Sequence, residues 1–291
     1  MKKVGFLGPK GTFTEMAAYS LFPKEELVPL KTIPKVLDLA FAKGIDYAVV
    51  PIENAIEGTV NITLDYLIHH KPMPIVASIS LEIAQHLLFS PNKDWETFVP
   101  KKVVSHPQAI AQCHQFLQKN YPEIEIEYAD STGSAAAWLA ENPDADACVI
   151  ANAQAASTYG LAVAQGDIHD FEHNRTRFIV LTAKKEQAPH IVGPEHTGDK
   201  TTLMVTLPSD FAGALHQVLS AFAWRKLNLS KIESRPTKTG LGNYFFLIDI
   251  DQLMDDVLVP GAIAELTALG CKVEVLGSYA TYSSKATASI N

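Results

Sequence analysis

A chain of 291 residues with 47% hydrophobic and 19% charged side chains has an ordinary globular composition and enough length for two domains. Its formal charge of −8 argues against a nucleic-acid partner, which needs a basic stripe, but leaves room for a small anion held at a helix N-terminus. No run approaches the roughly 20 apolar residues of a membrane span, and the apolar stretch in MKKVGFLGP is too short for an export signal. A cytoplasmic protein with no membrane partner is therefore expected.

In chain order, residues 4–7 read as a strand, followed by a glycine-rich turn and a helix over 13–22. Ile33, Val36, Leu37, Ala40 and Phe41 recur at helical spacing and predict one buried face. A strand over 46–52, a helix over 61–70 and a strand over 75–83 follow. A second series begins near Lys101: strand at 103–104, helix 107–117, strand 124–128, helix 132–140, strand 147–151, and later a strand at 179–181. This β-α alternation implies a largely parallel sheet covered by helices, and two such series imply two lobes around a cleft. The Pro/Gly-containing stretch 186–200 reads as a linker. Beyond it the order is strand 201–207, helix 211–224, strands 229–234 and 244–250, helix 255–269 and strand 272–276. That is the βαββαβ order of a ferredoxin-like unit. Phe211, Ala214, Leu215, Val218 and Phe222 are expected on one face of its first helix. The small, polar residues from 283 onward read as a frayed tail.

Ligands of open α/β sheets sit beyond the carboxyl ends of strands, and five strand-to-loop segments fall there. Gly8-Pro-Lys-Gly-Thr-Phe-Thr14 is either a plain βα turn or an anion cradle; it lacks the spacing of a nucleotide-binding P-loop. Pro51-Ile-Glu-Asn-Ala-Ile-Glu-Gly58 brings Glu53 and Asn54 to the end of an apolar strand, while Glu57 reads as a solvated loop carboxylate. In Ser105-His-Pro-Gln108, Pro107 suits the first helical position, leaving His106 or Ser105 as the cap. His106 is also titratable. Asp130-Ser-Thr-Gly-Ser134 opens a helix with hydroxyls. His173-Asn-Arg-Thr-Arg-Phe178 places Thr176 and Arg177 at the entrance to a strand, where Arg177 is either a surface residue or a fork for a carboxylate. Together these segments describe a cleft rich in donors and poor in nucleophile–base pairs. The scattered Cys113, Cys148 and Cys271 read as buried reduced thiols. Without CxxC or HExxH spacing, no metal is expected.

The runs GPKGTFTEMAA, PIENAIEGTV, SHPQAIAQC, STGSAAA and HNRTRFIVL, in this order, resemble the prephenate dehydratase family. Gly213-Ala-Leu215 and Glu233-Ser-Arg-Pro236 are similar to the phenylalanine-binding motifs of that family's ACT domain. Ala55 stands where serine is common in the family, and Gly133 where alanine is common. The resemblance implies a two-lobed, periplasmic-binding-protein-like catalytic domain over residues 1–185, a linker at 186–200, a ferredoxin-like ACT domain at 201–279 and a tail at 280–291. It implies decarboxylating dehydration of prephenate without a cofactor. Thr176 is then the leading proton donor, Arg177 grips a carboxylate and Phe178 shapes the ring pocket. Thr12, Asn54, Ser105, Gln108, Ser131 and Thr132 bind and orient, with His106 beside them. A threonine hydroxyl is a weak acid, so Glu53 and His106 remain rival donors. The ACT motifs (Gly213, Ala214, Leu215, Glu233, Ser234, Arg235 and Pro236) imply phenylalanine as effector and a homodimer or homotetramer. Arogenate dehydratase is the nearest alternative. A solute-binding protein and a non-catalytic amino-acid sensor are alternatives from other classes.

Overall fold

The structure is a computed structural model describing residues 1–184, 188–209, 211–236 and 244–284. The first lobe is built from β1 (Lys3–Leu7), α1 (Phe13–Leu21), β2 (Glu26–Leu30), α2 (Ile33–Phe41), β3 (Tyr47–Asn54), β4 (Gly58–Thr59), α3 (Asn61–His69) and β5 (Ile75–Glu82). The second holds β6 (His86–Phe89), β7 (Lys102–Ser105), α4 (Pro107–Gln112), α5 (His114–Asn120), β8 (Glu125–Tyr128), α6 (Thr132–Glu141), β9 (Ala147–Ala151), α7 (Ala153–Tyr159) and β10 (Ala162–Gln165). The chain then returns to the first lobe as β11 (Arg175–Leu181). The C-terminal unit is β12 (Glu195–Thr206), α8 (Ala214–Ala223), β13 (Leu229–Pro236), β14 (Tyr244–Ile250), α9 (Leu258–Ala268) and β15 (Lys272–Ser284).

The second lobe has its own five-stranded sheet, β10-β6-β9-β7-β8. The other strands form one sheet in the order β13-β14-β12-β15-β5-β11-β3-β1-β2, with β4 on β3. Both sheets are mixed rather than largely parallel. In the first lobe β11 runs antiparallel between β3 and β5 because the chain re-enters from the far lobe. In the second, β6 pairs antiparallel with both β9 and β10. The order β13-β14-β12-β15, all antiparallel, is the ferredoxin-like arrangement expected from the sequence.

Two boundaries differ from the sequence reading. Residues 195–200 lie inside β12, not in a linker, and β15 runs to Ser284, past the expected start of the tail. The cause is the parallel pairing of β15 with β5, which gives the end of β15 partners on both edges, β5 on one side and β12 on the other, and joins the C-terminal strands to those of the first lobe in one sheet. Gly277 makes the junction possible: a Cβ there would lie 2.3 Å from the Ile75 carbonyl oxygen. The expected helix over 107–117 is broken at Cys113, giving α4 and α5.

Apolar spacing placed the core well. Ile33, Val36, Leu37 and Ala40 of α2 are buried, while Phe41 lies at the margin under the Lys71 ammonium. At the first helix of the C-terminal unit, Ala214, Val218, Ala221 and Phe222 are buried, but Phe211 and Leu215 are exposed. Each fully buried Leu, Ile or Phe stabilises the fold by about 1.5–3 kcal/mol. Among the described residues no helix is long and apolar enough to cross a membrane.

Candidate active site

A cleft of about 880 Å³ opens between the lobes. The loop at residues 8–12 bridges its walls: Asn152 Nδ2 donates to the Gly11 carbonyl at 3.0 Å and the Tyr159 hydroxyl to the Lys10 carbonyl at 2.9 Å. Gly133 permits this approach, since a Cβ there would lie 2.7 Å from the Lys10 carbonyl oxygen. The residue that departs from the family pattern thus lets helix α6 close against the opposite lobe.

Thr12, Asn54, His106, Gln108, Ser131, Thr132, Thr176 and Phe178 all line the cleft. Several do local work as well. Thr12 caps α1, its Oγ1 accepting from the Glu15 amide and donating to the backbone carbonyls of Leu7 and Pro9. Ser131 forms a reciprocal capping box with Ser134 at the start of α6. His106 caps α4 by accepting the Gln108 amide on Nδ1. The neutral ring therefore carries its proton on Nε2, the nitrogen left to act as a donor.

Within the cleft, Asn54 and Thr176 form a hydrogen-bonded pair on neighbouring strands. Thr176 and Asn54 are direct partners in the β11–β3 register. Asn54 Oδ1 accepts the amides of Ile56 at 3.0 Å and Glu57 at 3.1 Å, which fixes the carboxamide orientation. Its Nδ2 then donates to Thr176 Oγ1 and to Asn174 Oδ1, both at 2.9 Å. With a lone pair of Thr176 taken by this donor, the hydroxyl hydrogen is free to point into the cleft. Phe178, two residues along and on the same face of the strand, forms the adjoining apolar wall.

Three expected site residues are elsewhere. Alternation along β11 turns Arg177 to the face opposite Thr176, where Nη1 meets Asp249 Oδ2 at 2.7 Å and Nη2 meets Glu53 Oε2 at 3.0 Å. Glu53 follows the same alternation on β3 and also pairs with Lys231 Nζ at 2.9 Å. Neither lines the cleft, so the expected carboxylate grip of Arg177 and the rival acid role of Glu53 are not supported. Burial works against the Arg177 charge, but Asp249, Tyr279 and Glu53 outweigh it and push its pKa upward. Ser105 is fully buried and donates to the Ile150 carbonyl at 2.6 Å; it neither caps α4 nor reaches the cleft.

The cleft's cations are instead Lys10 and Lys31, with Asp130 on its rim. Lys10 lay inside the glycine-rich segment already singled out, whereas Lys31 follows β2, whose Pro29 hid the strand. Gln85 and Gln112 also line the cleft, and each has a buried side-chain oxygen without a hydrogen-bond partner among the described residues. Burial pushes the Cys113 and Cys148 thiols up to about 12, so neither is a nucleophile near neutrality. Among the described residues no group of three or more His, Cys, Asp or Glu side chains is placed to hold a metal ion.

In the C-terminal unit, β13 alternates strictly. Lys231, Glu233 and Arg235 face the first lobe, while Ser234 and Pro236 are exposed on the other side. Glu233 accepts from the Thr59 hydroxyl at 2.6 Å. Arg235 reaches Asn61 at 2.7 Å and Asp65 at 3.1 Å. Burial opposes ionisation of Glu233, but Thr59, Lys231 and Arg235 prevail and lower its pKa. Gly213 starts α8 at φ +91°, a left-handed conformation that suits glycine. The register Thr206–Phe245–Arg235 puts the approach to α8 and the 233–236 segment at the same end of the sheet.

Fold and site together define a two-lobed α/β cleft protein of the ligand-capturing type, fused to a ferredoxin-like unit of the kind that senses small molecules. The chain belongs to the prephenate dehydratase family: the family's sequence model, described as "Prephenate dehydratase", matches residues 4–186. A Bacillus subtilis prephenate dehydratase is 52% identical over 284 residues, covering 96% of this chain and 99% of the relative. The crystal structure of an Arthrobacter aurescens prephenate dehydratase in complex with L-Phe superposes with a TM-score of 0.81 at 34% identity, covering 95% of this chain and 89% of that one. The Staphylococcus aureus enzyme gives 0.79 at 30% identity, covering 95% and 99%.

Proposed function

We propose that this chain is a prephenate dehydratase that converts prephenate to phenylpyruvate, carbon dioxide and water, and that phenylalanine inhibits it through the C-terminal unit. The observation that carries the catalytic reading is the Asn54-to-Thr176 hydrogen bond, which turns the threonine hydroxyl into a donor toward the cleft. In the reaction, the bond from the ring to its carboxylate breaks and releases carbon dioxide. The electron pair enters the ring as the para C–O bond breaks, and the departing hydroxide takes a proton to become water. Aromatisation supplies the driving force.

Residues at the cleft meet each requirement. Lys10 and Lys31 supply positive charge for a dianionic substrate, assisted by the N-terminus of α6. Phe178 and Ile83 give an apolar wall for the ring. Thr176 hydrogen-bonds the leaving oxygen, and His106, which lines the same cleft with its proton on Nε2, is the alternative donor. The catalytic unit is residues 1–185; the effector unit takes up the remainder of the fold and holds phenylalanine near Gly213–Leu215 and Glu233–Pro236. The working form is a homodimer or homotetramer. The cytoplasm, where buried thiols stay reduced, is its compartment. The test is phenylpyruvate formation from prephenate by the purified protein, with arogenate in parallel and phenylalanine titrated into both. Prephenate turnover suppressed by phenylalanine supports both halves. Turnover of arogenate alone refutes the substrate, and turnover indifferent to phenylalanine refutes the regulation.

A further inference from the structure

The hydrogen-bonded pair that faces the cleft has a charged counterpart on its reverse side. In the β11–β3 register Thr176 opposes Asn54, and the next pair is Arg177 opposite Glu53. The first pair points to the substrate cleft, the second to the C-terminal unit. Thr176 and Arg177 share a peptide plane, as do Glu53 and Asn54, so a backbone shift at the ion pair is carried directly to the Asn54–Thr176 pair. The register shifts immediately after Arg177, so the local geometry is set by this short block rather than by an uninterrupted ladder.

From Glu53 the charges continue without a gap. Lys231 Nζ lies 2.9 Å from Glu53 Oε1, 3.0 Å from Thr59 Oγ1 and 3.3 Å from Glu233 Oε2. Glu233 Oε1 lies 3.2 Å from Arg235 Nη1. A second anchor holds Arg177 from the sheet of the C-terminal unit. Asp249, almost wholly buried, accepts from Arg177 and from Thr202 Oγ1 at 2.7 Å, and Thr202 Oγ1 lies 2.8 Å from the Tyr279 hydroxyl. The Arg177, Lys231 and Arg235 side chains are each only 12% exposed, so water screens these pairs little.

We propose that Arg177 is a positioning residue, and that the chain Arg177–Glu53–Lys231–Glu233 carries effector occupancy from the 233–236 segment to the Asn54–Thr176 pair. This rests on the effector reading given above. The chemistry of exchange follows from the groups present. The ammonium of an amino acid competes with Lys231 and Arg235 for Glu233, and its carboxylate competes with Glu233 and Asp65 for Arg235. A Lys231 released from Glu233 redistributes its pairing toward Glu53, which alters the hold on Arg177. Arg177 Nε is buried and has no hydrogen-bond partner among the described residues, which leaves one donor of this network open to re-pairing.

The test uses the full-length protein with Lys231→Met, which removes the central cation and keeps most of the aliphatic stem. Phenylalanine binding is measured by calorimetry and inhibition of prephenate turnover in parallel. The variant is expected to keep basal kcat within about threefold and to bind phenylalanine, while the ratio of turnover at saturating phenylalanine to turnover without it rises at least fivefold over the parent's. Lys231→Arg is expected to restore the parent ratio. Thr59→Val, which removes the hydroxyl bridging Lys231 and Glu233, should move the ratio in the same direction and serves if Lys231→Met does not fold. A Lys231→Met or Thr59→Val protein that binds phenylalanine and is inhibited at saturation as fully as the parent overturns the relay and leaves the effector reading intact. Failure of the parent protein to bind phenylalanine overturns both.

Discussion

Asn54→Asp reverses the polarity of the reactive pair at nearly constant volume. The new carboxylate still accepts the Ile56 and Glu57 amides, but both 2.9 Å donations, to Thr176 Oγ1 and to Asn174 Oδ1, are lost. The Thr176 hydroxyl then donates to that carboxylate and no longer to the leaving oxygen. Removing one preorganised donor from a transition state costs about 2.7–4 kcal/mol, or a factor of roughly 10²–10³ in kcat. The lost bond to Asn174 Oδ1, which leaves a buried acceptor without its donor, also costs about 1–3 kcal/mol of stability, so the folded fraction must be checked by circular dichroism. The decisive assay is a double-mutant cycle with Thr176→Val, following phenylpyruvate at saturating prephenate. Because Asn54 acts through Thr176, the double variant should be no slower than Thr176→Val alone. A kcat for Asn54→Asp within threefold of the parent, or additive losses in the cycle, would refute this reasoning.

Gly133→Ala places a Cβ 2.7 Å from the Lys10 carbonyl oxygen and 3.2 Å from Thr12 Cγ2, so the lobes must separate slightly; KM for prephenate should rise several-fold with a smaller loss in kcat, measured by steady-state kinetics. Gly277→Ala drives a methyl to 2.3 Å from the Ile75 carbonyl oxygen where the C-terminal strands join those of the first lobe. It should destabilise the fold by about 1–3 kcal/mol, seen as a lower Tm in scanning calorimetry, and an unchanged Tm would mean that the strands are not joined there. Buried His86 accepts the Asp167 amide on Nδ1, and burial, assisted by His169 and opposed by Asp167, lowers its pKa below the usual 6.5. A depressed folded pKa means that its contribution is present above the unfolded value and is lost as pH falls below about 6.5 toward the folded value. Urea unfolding between pH 8 and 5 should show this slope, and His86→Gln should flatten it.

Much of the site was legible because it lies where strands end. The turn after β1, the loop after β3 and the helix starts after β7 and β8 all reach the cleft, as their positions in the alternating pattern required. Arg177, Glu53 and Ser105 were misplaced because a motif shows which residues are neighbours in sequence, not which face each takes. Thr176 and Phe178 are two apart and share a face, so period-two alternation alone could have turned Arg177 away from them. The roles of Asp249 and Lys231 were not readable at all. They depend on pairing between segments 72 and 178 residues apart, and nothing local encodes that. The fused sheet escaped for the same reason: β15 read correctly as a strand to residue 276, but its extension to Ser284 depends on a partner in the first lobe. Lys31 was missed because Pro29 disguised an edge strand, one of the places in a sheet where proline is tolerated.

The most direct test of the central claim, that the Thr176 hydroxyl serves the leaving oxygen, is the kcat of Thr176→Val beside that of Thr176→Ser on prephenate. Serine keeps the hydroxyl and its contact with Asn54, so it should retain a tenth or more of the parent rate, while valine, equal in shape but without the oxygen, should fall by about 10²–10³ with KM little changed. A valine variant within tenfold of the parent would contradict the claim and move the proton donor to His106.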